Sequence, residues 1–258
     1  MEKEDDVGKA RRLGRRFTDR KKSEGKDSES GLGKRTSTES DVDFSSLNNL
    51  IEESVPQGGS ILIIGDVGAG KTVLALQFLC EELIEKGNIG ALFSHHDDKN
   101  DLYNYANGFG WHLKRFDRNG TIEVLAKPSD SSSKKKGIEI VREIIDTVKS
   151  VEADRFALDG LRTLSNLFEN EEGFEQGVKL LKSELRKENC LSIMTSDLGV
   201  SVKGIMDGVF ILNQINTRNA KIRELEIKKT RGSVKAGIIP FRITDKGISL
   251  GNENKQKP

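Results

Sequence analysis

The sequence is short of several things, and each shortage excludes a class of protein. It has two cysteines, Cys80 and Cys190, both in apolar segments. They make neither a metal-ligand nor a redox spacing, so both are expected as reduced core thiols of a cytoplasmic protein. No apolar run approaches the ~20 residues that cross a bilayer. The opening "MEKEDDVGKARR" lacks the apolar stretch of a secretory signal. A formal net charge of +1 gives no global pull towards nucleic acid or membrane. There are only three histidines, yet two stand side by side in "ALFSHHDDKND", residues 91–101.

What is present points to one folded domain with tails. In 258 residues, 34% are hydrophobic, enough to bury a real core. Residues 1–43 are rich in Lys, Arg, Glu, Ser and Gly and are expected to be a disordered tail, because they cannot bury enough surface to offset ordering entropy. Within them, "KARRLGRRFTDRKK" sets Arg11, Arg12, Arg15 and Arg16 at i,i+4 spacing. That stripe either docks an acidic protein or another anionic partner, or is a solvated arm. Residues 44–251 carry the globular pattern, and residues 252–258 are a second tail.

In the globular part, short β-branched runs alternate with helical periodicity. "SILIIG" (60–65), "GALFSH", "TIEVLA" (121–126), "RFALD" (155–159) and "CLSIMTS" (190–196) read as strands. Residues 72–87, "DLYNYANGFGW", "IEIVREIIDTVKSV" and "GFEQGVKLLKSELRKEN" read as helices. This alternation implies βαβ crossovers and an α/β fold with a mainly parallel sheet covered on both faces. Beyond residue 205 the helices stop. "GVFILN", "RELEIKKTRG", "IPFRIT" and "GISL" read as an antiparallel extension of the same sheet.

The chemistry is concentrated in "GDVGAGKT". Gly65, Asp66, Val67, Gly68, Ala69, Gly70, Lys71 and Thr72 match G-x-x-x-x-G-K-[ST] in full, with a buried strand before and an amphipathic helix, opening at Val73, after. The glycines allow a loop whose backbone N–H groups surround phosphate oxygens. Lys71 supplies a point charge for the β- and γ-phosphates, and the Thr72 hydroxyl is a ligand for Mg²⁺. The helix directs its positive end at the anion. Asp159, closing the strand "RFALD", is the expected second holder of the metal. ATP and Mg²⁺ are therefore the expected cofactors.

These segments resemble the KaiC-like branch of the RecA-superfamily P-loop ATPases. The likeness spans about residues 46–251 and rests on "VPQGGSILIIGDVGAGKTVLALQFL", "NGFGWHL", "RFALDGLRTL", "MDGVFILN" and "LEIKKTRGSVKAGIIPFRIT". The resemblance implies a RecA-like core and a homo-oligomeric ring, usually six-membered, with nucleotide between subunits. It also implies that Lys229 and Arg231, in "KKTRGS", serve in trans on the neighbour's phosphates. On the residues alone, Leu225, Ile227, Lys229 and Arg231 alternate and share a face if the strand continues; the bland reading is a basic edge strand.

The family carries paired glutamates after the second core strand, one of them the base for the attacking water. Counting back from "NGFGWHL" puts His96 and Asp97 at those positions, so the first carboxylate is replaced and the second is shorter. His96 as base, a metal cluster and a solvated loop all remain open for "HHDD". Ser196 occupies the place of a γ-phosphate-sensing polar residue; a turn former is the plainer reading. The expected function is ATP binding as an assembly or conformational signal, with weak or absent hydrolysis. The alternative is an accessory ATPase of DNA recombination or repair. Its mark, an aromatic-plus-basic loop for single strands, has only "SDSSSKKKG" as a weak candidate.

Overall fold

The computed structural model describes residues 46–126, 136–197, 201–216 and 221–251. The predicted tails and most of the loop "PSDSSSKKKG" lie outside the described residues.

Among the described residues, nine strands form one sheet in the order β3-β2-β4-β5-β1-β6-β7-β8-β9. They are β1 (Ser60–Gly65), β2 (Gly90–Ser94), β3 (Ile122–Ala126), β4 (Arg155–Asp159), β5 (Leu191–Ser196), β6 (Gly208–Asn216), β7 (Lys221–Lys229), β8 (Gly237–Thr244) and β9 (Gly247–Leu250). The helices are α1 (Leu47–Ser54), α2 (Lys71–Lys86), α3 (Lys99–Asn107), α4 (Leu113–Arg118), α5 (Gly137–Ser150), α6 (Leu161–Ser165) and α7 (Glu171–Lys187).

The central strands are buried at almost every position because both faces are covered. Along β1, Ile61 and Ile63 pack on one face with α1, α2 and α3, while Leu62 and Ile64 pack on the other with α5, α6 and α7. The period-two alternation thus sorts one buried strand into two cores. Phe174, Val178, Leu181 and Leu185 form the buried stripe of α7, as their spacing predicts. The helix is also oriented by charge, with Glu171 and Glu172 in its first turn and Arg186 and Lys187 in its last. Cys80 and Cys190 are free and buried, and burial pushes the Cys80 thiol up to about 12.

The expected antiparallel extension begins one strand later than the sequence pattern suggests. "GVFILN" forms β6, which runs parallel to β1 with Ile61 opposite Gly208 and Gly65 opposite Leu212. β7, β8 and β9 are antiparallel to their neighbours.

α1 is built on long-range contacts. Its Asn48 accepts from the buried Arg155 guanidinium at 3.0 Å, and Glu52 pairs with the same side chain. Arg155 also lies 4.6 Å from the Phe78 ring centroid. The C-terminus of α1 in turn anchors the segment after β7, with Arg231 N and Gly232 N donating to Ser54 O at 3.0 and 2.9 Å. A Cβ on Gly232 would lie 1.9 Å from Glu53 O, so the backbones meet at a distance only glycine permits.

Beside this junction a buried carboxylate gathers three cations, of which Lys182 is largely buried and Arg186 and Arg231 are about half exposed. Asp207 is fully buried and accepts from Ser60 N at 3.1 Å, and from Lys182, Arg186 and Arg231 at 3.0 Å each. Burial pushes its carboxyl up, but the bond from Lys182, the Ser60 N–H and Arg186 outweigh burial and hold it below the ordinary range. A depressed carboxyl contributes stability above its unfolded pKa of about 3.9, lost as pH falls through the folded value. Asp207→Asn is therefore expected to cost about 3 kcal/mol near neutral pH, chiefly because Lys182, the largely buried one of its three cations, is left without a counter-charge. The cost should shrink as pH falls below about 4. Urea unfolding at several pH values measures both, and a variant as stable as the parent at neutral pH would contradict this account.

Candidate functional site

The carboxyl ends of β1, β2, β4 and β5 meet at one level of the sheet. Ser94 is in register with Asp159, and Ile64 with Ser196. Ligands bind at this edge of a parallel sheet. Here a cavity of about 300 Å³ is lined by Gly68, Gly70, Lys71, Thr72, His96, Asp159 and Ser196, among others. A larger groove of about 660 Å³, between α3 and α4 and bordered by Trp111, Lys114 and Arg118, holds none of the predicted site residues.

The phosphate loop is shaped by its own backbone. Gly70 has φ 108° and caps α2 without any side-chain bond, so the first amides of that helix are left for a ligand. Ala69 and Val73 are buried, with side chains in the core beneath the loop, which leaves only their backbone to the cavity. Asp66, Val67 and Gly68 are exposed at the loop's crest, and Gly65 closes β1 against Leu212. The Lys71 ammonium donates to Gly65 O at 2.7 Å and Asp66 O at 3.0 Å, and pairs with Asp197 at 2.9 Å.

Behind the lysine lie oxygen groups of the kind that can hold a metal. Thr72 Oγ1 donates to Asp159 Oδ2 at 2.7 Å, and Thr195 Oγ1 donates to the other Asp159 oxygen. Thr195 Oγ1 accepts from Gly160 N at 3.1 Å and so fixes the turn after β4. A hydroxyl and a carboxylate beside this glycine-rich loop suit a hard divalent cation carried by a polyphosphate. The Ser196 hydroxyl is 2% exposed and its oxygen has no partner among the described residues. The residues present therefore fit Mg·ATP.

The four residues of "HHDD" have four separate fates. His95 is buried, with its ring edge-on to Phe93 at 5.4 Å. His96 turns into the cavity; its ring lies over Gly160, where a Cβ would meet it at 2.7 Å, and its Nε2 is 3.2 Å from Thr163 Oγ1. Gly160, at φ 102°, provides that room. Burial and then the Asp159 carboxylate push Asp97 above the ordinary carboxyl range, with His96 opposing. Asp98 caps α3, accepting from Asn100 N at 2.7 Å and Asp101 N at 2.9 Å. The shared-metal reading fails because the two imidazoles face different surroundings. The solvated-loop reading holds for exposure at His96 and Asp98, but His95 is buried and Asp98 also caps a helix.

Lys229 and Arg231 are not in this cavity. β7 ends at Lys229 opposite Val209, at the amino edge of the parallel strands, whereas the loop follows their carboxyl edge. The alternation expected from Leu225 to Arg231 breaks at a bulge, where Val209 pairs with Lys229 but Phe210 with Ile227. Lys229 donates to Gly204 O at 3.1 Å, and Arg231 turns onto Asp207. Burial and the nearby Arg231 and Lys182 lower the Lys229 pKa, against Asp207.

Sequence reasoning missed Thr195, Tyr105 and Arg162, all of which line the cavity. Thr195 had a usable signal, one residue before Ser196 on the strand beside Asp159. Tyr105 and Arg162 had none, because α3 and α6 aim them only once folded.

Comparison with known proteins agrees with this geometry. The family model described as "ATPase: KaiC" matches residues 44–255. The circadian clock oscillator protein KaiC of Synechococcus elongatus is 27% identical over 76% of this chain, which spans 41% of that relative's length. The UPF0273 protein MK0039 of Methanopyrus kandleri is 24% identical, the alignment covering 80% of this chain and 89% of that one. Among solved structures, the KaiC-like protein PH0186 from Pyrococcus horikoshii superimposes with a TM-score of 0.68 at 23% identity, over 77% of this chain and 91% of that one. A RecA-type sheet with an ATP-type phosphate loop, matched along most of its length, places this chain in the KaiC family of ATPases.

Proposed function

We propose that the chain binds Mg·ATP in this cavity, chiefly as a conformational or assembly signal, and hydrolyses it slowly if at all. The observation that carries this reading is His96. Support for triphosphate binding comes from the phosphate loop, Lys71, Thr72, Asp159 and Ser196 all lining one cavity. The position expected to carry the water-activating glutamate instead holds an exposed imidazole that lies over Gly160 and within 3.2 Å of Thr163 Oγ1. Losing a general base costs typically about 10²–10⁴-fold in rate, while binding persists. Bound Mg²⁺ would supply charge neutralisation between the phosphates, with Thr72 and Asp159 as its protein-side donors.

Homo-oligomerisation with nucleotide at the subunit boundary completes the proposal. Lys229 and Arg231 are at the sheet edge opposite their own phosphate loop, so any phosphate they serve belongs to another copy. Support comes from the junction that presents them, where Gly232 is clamped on α1 and Arg231 is held by Asp207.

Phosphate release and particle size, each measured with and without Mg·ATP, test the proposal. ATP binding, slow release and a larger particle with ATP are expected. Lys229→Ala should keep ATP binding by the single subunit but lose the ATP-dependent growth in size. A particle of the same size in all conditions would remove the assembly role, and rapid phosphate release by the wild type would remove the signalling one.

A further inference from the structure

Arg162 stands in the first turn of α6, three residues beyond Asp159, and lines the same cavity as Lys71, His96 and Ser196. Its direction follows from the local fold. Gly160 turns the chain sharply off β4, and Leu161 and Leu164 then bury the inner face of the short helix. The intervening side chain is sent outwards.

The charges in the cavity leave this residue unbalanced. Lys71 is paired with Asp197, and Asp159 accepts from the Thr72 and Thr195 hydroxyls. The Arg162 guanidinium has no carboxylate partner among the described residues; only its backbone carbonyl is engaged, by Ser165 Oγ at 2.6 Å. The buried, unpartnered Ser196 hydroxyl lines the same space. A free cation and an orphaned buried hydroxyl facing one cavity both ask for an anion with several acceptor oxygens.

We infer that Arg162 is a second cation of the chain's own nucleotide site, binding the terminal phosphate and setting a preference for nucleoside triphosphate over diphosphate. The inference rests on the cavity being the nucleotide site, as proposed above. A planar guanidinium grips two oxygens of a terminal phosphate through two parallel N–H bonds, a fixed fork that an ammonium lacks. That is the chemistry of a sensor of the third phosphate.

The test is calorimetric binding of Mg·ADP and of a non-hydrolysable Mg·ATP analogue to wild type, Arg162→Gln and Arg162→Lys. Arg162 is exposed, so neither substitution should disturb folding, and ADP affinity serves as the control. Arg162→Gln should lose about tenfold or more in triphosphate affinity while diphosphate affinity changes by less than roughly threefold, and Arg162→Lys should recover part of the loss. Equal losses for both nucleotides, or none, overturn the inference while leaving the nucleotide site standing. A wild type that binds neither nucleotide overturns the site reading and this inference with it.

Discussion

Lys71→Ala is expected to weaken Mg·ATP binding by about a hundredfold or more while leaving the fold intact. Two effects add. The ammonium is the cavity's central cation, and charge-assisted bonds to such a group are worth about 1.5–3 kcal/mol each. Its removal also strips Asp197 of the partner now 2.9 Å away, leaving a bare carboxylate beside the incoming phosphates. The second effect can be separated from the first. Lys71→Ala with Asp197→Asn removes the repulsion but not the lost attraction, so it should bind better than Lys71→Ala alone. Equilibrium titration with a fluorescent ATP analogue measures both, with circular dichroism to verify folding. Unchanged affinity in Lys71→Ala would mean that the phosphates lie elsewhere.

The parts of this site that were legible in the sequence share one property: each is fixed by neighbours within a few residues. Gly65 to Thr72 need only a strand before them and a helix after them, and both announce themselves by composition. Asp159 is legible as the acid that closes an apolar run. What escaped depends on distant partners. α1 has too few residues to show a period, and its Asn48 is buried because Arg155 reaches it from more than a hundred positions away. The direction of β6 is invisible to a pattern of alternating residues, because parallel and antiparallel strands can share that pattern; its pairing with β1 settles the matter. The bulge that turns Arg231 aside likewise exists only in the register of two strands. "HHDD" is the sharpest case. Four adjacent polar residues became a buried ring, a cavity wall, a strained carboxyl and a helix cap, and Phe93, Gly160, Asp159 and the first amides of α3 made those assignments.

His96→Glu is the second large effect expected, and it separates two accounts of the same imidazole. If His96 is a replaced base, the variant restores a carboxylate where the family resemblance expects one, and phosphate release should rise by about a hundredfold or more. The space exists, since His96 is exposed and its ring occupies the room above Gly160. The electrostatics are less favourable, because Asp97 is already pushed up by burial and by Asp159, and the group that opposed that rise would be gone. Affinity for ATP should therefore fall modestly while turnover climbs, a split that separates a change in chemistry from a change in binding. If His96 is instead the working base, turnover collapses in the same variant. Single-turnover phosphate release at saturating Mg·ATP decides between them. A collapse would also undo the proposed signalling role, because a site with its own functioning base has no reason to hold its triphosphate unspent.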